Sequence, residues 1–310
     1  MADAPAPLAN RDVAAFAALA PDAMPARIAS VHDALLDGLA AAFVELGDPD
    51  CARLVGPIVP GATLARGARI PGTSLELEPV AAAFGIGIAA GWHPGSDPIR
   101  ENLGALFALL DYLARRAHEL GRSPPTIGVL LGSLDRAARI QSALEAEPGY
   151  PDADGAARLA VRVASAAIAA QLLGGGITTI AAAATQAWMD GVPPRHPRAR
   201  PAAPPIVRAG ADASSRGLRS AFWALATVGA GNTGGPDADR ERADADVVAR
   251  FADAAPPPVD PRDGLARFAA SLEDLFGARR RAAILRCVSD CETFVAMPVH
   301  EFVALLVRND

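Results

Sequence analysis

Lysine is absent from this 310-residue chain: all 29 of its basic residues are arginine. No mechanism that needs a lysine base or a lysine Schiff base is therefore open to it. Aromatic residues are also scarce, at 5%, although apolar residues make up 51% of the chain. Alanine supplies much of that apolar surface, and an alanine–leucine core favours closely packed helices over sheets. Three cysteines, Cys51, Cys287 and Cys291, are too few for a secreted disulfide scaffold. Cys287, Cys291 and His300 lack the fourth ligand and the spacing of a zinc site, so no metal is expected. A surplus of positive charge is missing too. The net charge is −6, which argues against nucleic acid as the main partner.

The start, "MADAPAPLANRD", has no basic stretch leading into an apolar run, so no signal peptide is expected. No charge falls between Val163 and Met189, yet that run holds Gln171, "GGG" at 174–176, Thr178 and Thr179. Two buried helices joined at the glycines explain it better than a membrane span. A cytoplasmic protein with no membrane partner is the expectation.

What is present is helical periodicity. Helices are predicted over 22–46, Asn102 to Leu120, 125–146, 156–173, 177–189, 214–228, 264–288 and 298–307. Leu103, Leu106, Phe107, Leu110, Leu113 and Ala117 make the second of these the clearest amphipathic one. Segments 56–74 and 191–205 carry too much Pro and Gly for helix, and 229–263 reads as a surface connection with a short helix near 241–253. The expected organisation is an all-α, multi-helix domain over 1–228, a linker over 229–263, and C-terminal helices over 264–310 that complete the domain.

Two glycine-rich stretches tempt and fail. "GAGNTG" (229–234) follows a helix rather than a strand and leads into acidic "PDAD", which repels phosphate. "GIGIAAG" (85–91) more simply lets two helices approach. His32, His118 and His300 sit in helical patterns and read as surface or satisfied histidines. "RHPRAR" (195–200) reads as a solvated loop or as an electropositive rim for an anion.

The stretches "DALLDGLAAAF" (33–43), "LVGPIVPGATLARGARIPGTSLELEPVAAAFGIG" (54–87) and "ARIQSALEAE" (138–147) are followed in order by three more. These are "LAVRVASAAIAAQLLG" (159–174), "GADASSRGLRSAF" (210–222) and "FVAMPVHEFVALLV" (294–307). Together they resemble the MmgE/PrpD family. The resemblance implies a helical domain that dimerises. It also implies a cytosolic carbon–oxygen lyase dehydrating small tricarboxylic acids such as 2-methylcitrate in propionate metabolism, without metal or iron–sulfur cluster. Such chemistry needs a base for a carbon-bound proton, an acid to expel hydroxide, and cations for the carboxylates.

The departures from that family bear on activity. After Trp92 the family has a D-F-N-D-T stretch and then a glycine–histidine–proline loop ending S-D-N-L-G-G. Here "HPGSDPIRENLG" is shorter, so either His93 is the loop histidine or Asp97 replaces the second aspartate, but not both. The family's lysine falls at Ile206, its second histidine at about Ala157, and its α+β lid has no counterpart before the tail. By resemblance, His93 and Asp97 are the candidate catalytic residues. Ser96, Arg100, Arg162, Arg208 and Arg216 are the candidates for substrate binding, with no cofactor. Two readings stay open: a lyase relative with activity weak or lost, acting on a small tricarboxylic acid, or a non-catalytic helical homodimer that binds or regulates a partner such as a full-length paralogue.

Overall fold

The computed structural model describes residues 8–19, 25–92, 97–147, 150, 156–190, 205–229, 249–251, 254 and 264–308. For residues 25–26, 156–157 and 205–208 the description is of the backbone alone. Two short strands, β1 (Ala68–Arg69) and β2 (Glu76–Leu77), pair antiparallel, and all other regular structure described is helical. The fold is an all-α multi-helix domain.

At its centre is α5 (Pro98–Glu119), whose Leu103, Leu106, Phe107, Leu109 and Leu110 are all fully buried. A single amphipathic stripe cannot account for that, because residues on opposite faces are equally enclosed. Helices pack on every side of it: α4 (Pro79–Ala90), α6 (Ile127–Glu145), α7 (Ala156–Leu172) and α9 (Pro205–Val228). Around them lie α1 (Asn10–Ala18), α2 (Pro25–Glu45), α3 (Pro49–Leu54) and α8 (Ile177–Met189).

Small residues set how closely these helices approach. A Cβ on Gly104 would lie 2.4 Å from the Ala83 carbonyl oxygen, and one on Gly87 would lie 3.0 Å from the Ala211 backbone. Thus α4 sits against both α5 and α9 through the "GIGIAAG" stretch. The uncharged run from Val163 to Met189 is divided between α7 and α8, with Gly174 at φ +87° between them. That conformation strains any residue with a Cβ, which is why glycine stands there. Among the described residues no helix is long and apolar enough to cross a membrane.

The C-terminal stretch forms α10 (Gly264–Ser271), α11 (Ala278–Ser289), α12 (Cys291–Ala296) and α13 (Val299–Leu306). These pack back onto the earlier helices. Gly264 lies against the Asp33 carbonyl of α2, and Phe268 and Phe276 both meet the Phe43 ring at 5.9 Å. Backbone bonds seal the seam: Gly72 N–H donates to Leu306 at 2.7 Å, and Ile127 N–H donates to Met297 at 2.8 Å.

Several predicted boundaries move. The central helix begins at Pro98, because Asp97 caps it and Pro98 stands at its first position, where no N–H is needed. Helix α9 begins at Pro205 rather than 214, again with proline at its start. The predicted 264–288 helix is broken by a turn over 272–277, and a separate helix starts after Gly277. Helices α1, α3, α4 and α12 fall outside the predicted ranges. "GAGNTG" beyond Gly229, the 191–204 loop with "RHPRAR", and most of the 229–263 connection lie outside the described residues.

Candidate functional site

The first turns of α5 and α7 meet. Glu101, in the first turn of α5, accepts a short bond from Arg158 in the first turn of α7. Arg158 in turn lies against α9, because a Cβ on Gly210 would be 3.5 Å from its guanidinium. Helix N-termini carry partial positive charge and unpaired N–H groups, so a mouth of this kind favours an anion. The positions where the family has its histidine and its lysine, Ala157 and Ile206, lie in the first turns of α7 and α9 respectively.

A polar network runs inward from this mouth. The Gln141 amide Nε2 donates to Glu101 at 2.6 Å and to Glu145 at 3.1 Å, so one NH2 group joins two carboxyls. The Gln141 carbonyl accepts from Asn102 at 2.8 Å, and Asn102 accepts from Ser165 at 2.8 Å. Burial pushes the carboxyls of Glu101 and Glu145 above the usual glutamate range; the nearby Asp97 adds to the shift at Glu101, and Glu101 adds to that at Glu145. The Arg158 guanidinium opposes the shift at Glu101.

Asp97 stands just outside this network, with its Oδ1 accepting from Ile99 N–H at 2.9 Å as the cap of α5. Burial also pushes its carboxyl upward, opposed by that bond and by Arg100. Arg100 makes a short bond to Asp37 on α2, and Asp37 also takes Arg267 of α10 at 2.9 Å. Arg216 is bound to Asp190 at 2.7 Å and to Asp212 at 3.3 Å. Arg162 is buried, and burial together with the neighbouring Arg216 pulls its guanidinium down. Trp92 is tied by its indole N–H to Asp48 at 3.2 Å.

Asp97 thus lies beside Arg100, and Arg162 beside Arg216, while His93, Ser96 and the Arg208 side chain lie outside the described residues. Sequence reading missed Asp37, Glu101, Glu145 and Arg158, which pair with Arg100, Gln141 and one another. One signal was available for Glu101: it precedes "NLG", where the family has S-D-N-L-G-G. The three cysteines are free thiols, and burial pushes the Cys51 thiol up to about 12, which rules it out as a nucleophile at neutral pH. Among the described residues no three His, Cys, Asp or Glu side chains gather as a metal site would require.

The raised carboxyls give a stability prediction with a definite sign. A carboxyl whose pKa is higher folded than unfolded stabilises the fold below its unfolded value, and that contribution is lost as pH rises through its folded value. Glu145→Gln keeps an acceptor for Gln141 but cannot ionise. Urea midpoints of the two proteins should nearly coincide at about pH 4, near the ordinary glutamate value of about 4.3. The variant should pull ahead as pH rises to 7.5. A gap that is constant with pH would refute the raised pair.

The all-α scaffold thus carries a buried carboxyl–guanidinium network where the first turns of α5 and α7 meet. The MmgE/PrpD N-terminal domain family matches residues 12–238, and the chain belongs to that family. The 2-methylcitrate dehydratase of Salmonella typhimurium is 36% identical over 208 residues, covering 63% of this chain and 42% of that protein. That of Cupriavidus necator is 35% identical over 208 residues, with the same coverage of 63% and 42%. The mitochondrial 2-methylcitrate dehydratase of Yarrowia lipolytica is 32% identical over 170 residues, covering 50% of this chain and 32% of that protein. The chain thus spans less than half the length of the curated relatives it matches.

Proposed function

We propose that this lyase-family chain keeps the helical scaffold of a 2-methylcitrate dehydratase but binds small tricarboxylic acids weakly and has little or no dehydratase turnover. The observation that carries this reading is internal neutralisation. Arg100, Arg158 and Arg216 are each held by a carboxylate of the same chain, at Asp37, at Glu101 and at Asp190 with Asp212. A tricarboxylate would have to displace those carboxylates to gain the same guanidiniums, which removes much of the binding energy that paired cations supply. Alanine and isoleucine at 157 and 206 leave no base where the family has histidine and lysine.

Residual chemistry would fall to His93 as base and Asp97 as acid. A carboxyl pushed up by burial stays protonated longer as pH rises, which suits a group that expels hydroxide. The test is absorbance at 240 nm with 2-methylcitrate, citrate and cis-aconitate, beside thermal-shift titration of each acid. Asp97→Asn preserves the helix cap, since asparagine caps as well as aspartate. It should lower any turnover by about 10²-fold or more. Turnover unaffected by both Asp97→Asn and His93→Ala would remove these residues from the chemistry, and brisk turnover at all would refute the proposal of little activity.

A second reading is a non-catalytic binding module in the cytoplasm, working as a homodimer or beside a full-length paralogue. One observation favours it. Ile58, Val59 and Leu64 are 88%, 66% and 42% exposed on one connecting segment, more apolar surface than a solitary loop normally shows to water. Light scattering of Ile58→Asp against the parent chain would separate a dimer formed there from a monomer.

A further inference from the structure

The last three helices meet the earlier part of the chain through histidines. Three of the chain's five histidines are among the described residues, and all three lie on that seam. His32 of α2 sits edge-on to Phe294 of α12 at 5.3 Å and donates to the Val288 carbonyl of α11. His300 of α13 lies 4.9 Å from the His118 ring of α5, centroid to centroid, with the ring planes tilted by 36°. Helices α11, α12 and α13 hold together as one unit. Arg280 of α11 donates to the Ala304 and Leu305 carbonyls of α13 at 2.8 and 2.9 Å, and Phe294 meets Phe302 at 4.8 Å. The histidine contacts therefore join that unit to the body formed by the earlier helices.

Two of these rings each have a nitrogen with nothing to bond. His32 Nε2 and His300 Nδ1 are buried and have no hydrogen-bond partner among the described residues. A neutral imidazole has one donor and an imidazolium has two, so protonation puts a buried N–H without an acceptor at each place. The charges around the rings do not offset this. Asp33, whose Oδ1 is 3.6 Å from His32 Nδ1, favours the His32 cation, while Asp290 and Glu292 of α12 lie around the neighbouring Cys291. His118 and Arg69 oppose a cation at His300, whereas Glu301 and Asp111 favour one, and Asp111 is already bonded to Arg69. Burial is the largest influence on both rings and pushes each imidazole below its ordinary range.

We propose that this seam is an acid-operated latch: protonating His32 and His300 undocks α11–α13 from the body, which stays folded. Helices α4, α5, α7 and α9 pack on one another without that unit, so the central core survives its release. The surface uncovered is apolar, since Phe294, Val299, Phe302 and Val303 are all fully buried while docked. A ring whose pKa is lowered by docking contributes stability that is present above its free value and lost as pH falls below it. With a free value of about 6.5, each ring held neutral shifts the docking equilibrium toward release by up to about tenfold between pH 7.5 and 5.5, and two rings by up to about a hundredfold.

Hydrogen exchange of the full chain at pH 7.5 and 5.5, read by mass spectrometry and corrected for the intrinsic pH dependence of exchange, tests this directly. Protection over Ala278–Ser289 and Val299–Leu306 should fall by about tenfold or more at pH 5.5, while that of α5 and α7 holds. His300→Gln should remove one ring's share of the fall, and His32→Gln combined with His300→Gln nearly all of it. His300 is only half-buried, so its variant folds even if the His32 change is poorly tolerated. Proton NMR of the parent chain needs no variant, and should show both rings titrating below about 6.5. Equal protection at both pH values, loss of protection in every helix together, a fall that persists in the double variant, or ring titrations at or above the ordinary value would each overturn the proposal. None of these readouts depends on dehydratase turnover.

Discussion

Replacing Asp111 with alanine is expected to cost about 3–5 kcal/mol of stability, the range for a buried ion pair that loses one partner. The Asp111 side chain is fully buried in α5 and accepts three bonds from Arg69 of β1: the backbone N–H at 2.9 Å, Nε at 3.1 Å and Nη2 at 2.5 Å. The same Nη2 donates to the His300 carbonyl of α13 at 2.7 Å. The Asp111–Arg69 pair therefore holds the strand pair, the central helix and the C-terminal helix together. Without it, an Arg69 side chain that is 14% exposed is left with its charge uncompensated. The double change Arg69→Met with Asp111→Leu should lose less than Asp111→Ala alone, because no orphan charge remains. Urea unfolding of the two variants checks both statements. A loss below about 1 kcal/mol for Asp111→Ala would mean that water replaces the carboxylate.

Gly104→Ala should be the most damaging single methyl addition at a described glycine of the α4–α5 contact, with a net loss of about 2–3 kcal/mol. In an exposed helix the change would gain close to 1 kcal/mol from propensity. Here the new Cβ would sit 2.4 Å from the Ala83 carbonyl oxygen and 3.0 Å from the Gly87 backbone nitrogen. Backbone cannot rotate aside as a side chain can, so α4 and α5 must separate, and the disturbance reaches Asp97 at the end of α5. Gly210→Ala is the matched control. Its neighbour is the far end of the Arg158 side chain at 3.5 Å, ordinary contact, so propensity should leave it neutral to stabilised. Equal stability of the two alanine variants would sink the packing argument.

The helical class was legible because alanine and leucine recur at helical spacing, and the amphipathic face from Leu103 to Ala117 indicated the central helix. Its start was misjudged because Asp97 attracted attention as a catalytic group, when Asp followed by Pro is also a cap followed by a first helical residue. Helix α4 escaped prediction for a different reason. Its residues are buried all round, so no polar face marks a period of 3.6. The candidate site was legible only where a resemblance pointed at it. Arg100 and Arg216 stood out as cations, but their partners Asp37 and Asp190 lie 63 and 26 positions away. Pairings at that separation leave no local pattern. Glu101, Gln141 and Glu145 share one hydrogen-bonded cluster across two helices, and nothing in either helix alone announces it.

The contact of Phe43 with Phe268 and Phe276 has a consequence for how the chain is made. A ribosome adding about 5–20 residues per second would need roughly 10–45 s to pass from one ring to its partner. Throughout that interval the α2 face that α10 will cover is complete but has nothing to bury against. Nascent chains should therefore expose Phe43 to holding chaperones until the final tens of residues emerge, and ribosomes stalled before residue 264 should carry a chain that recruits them.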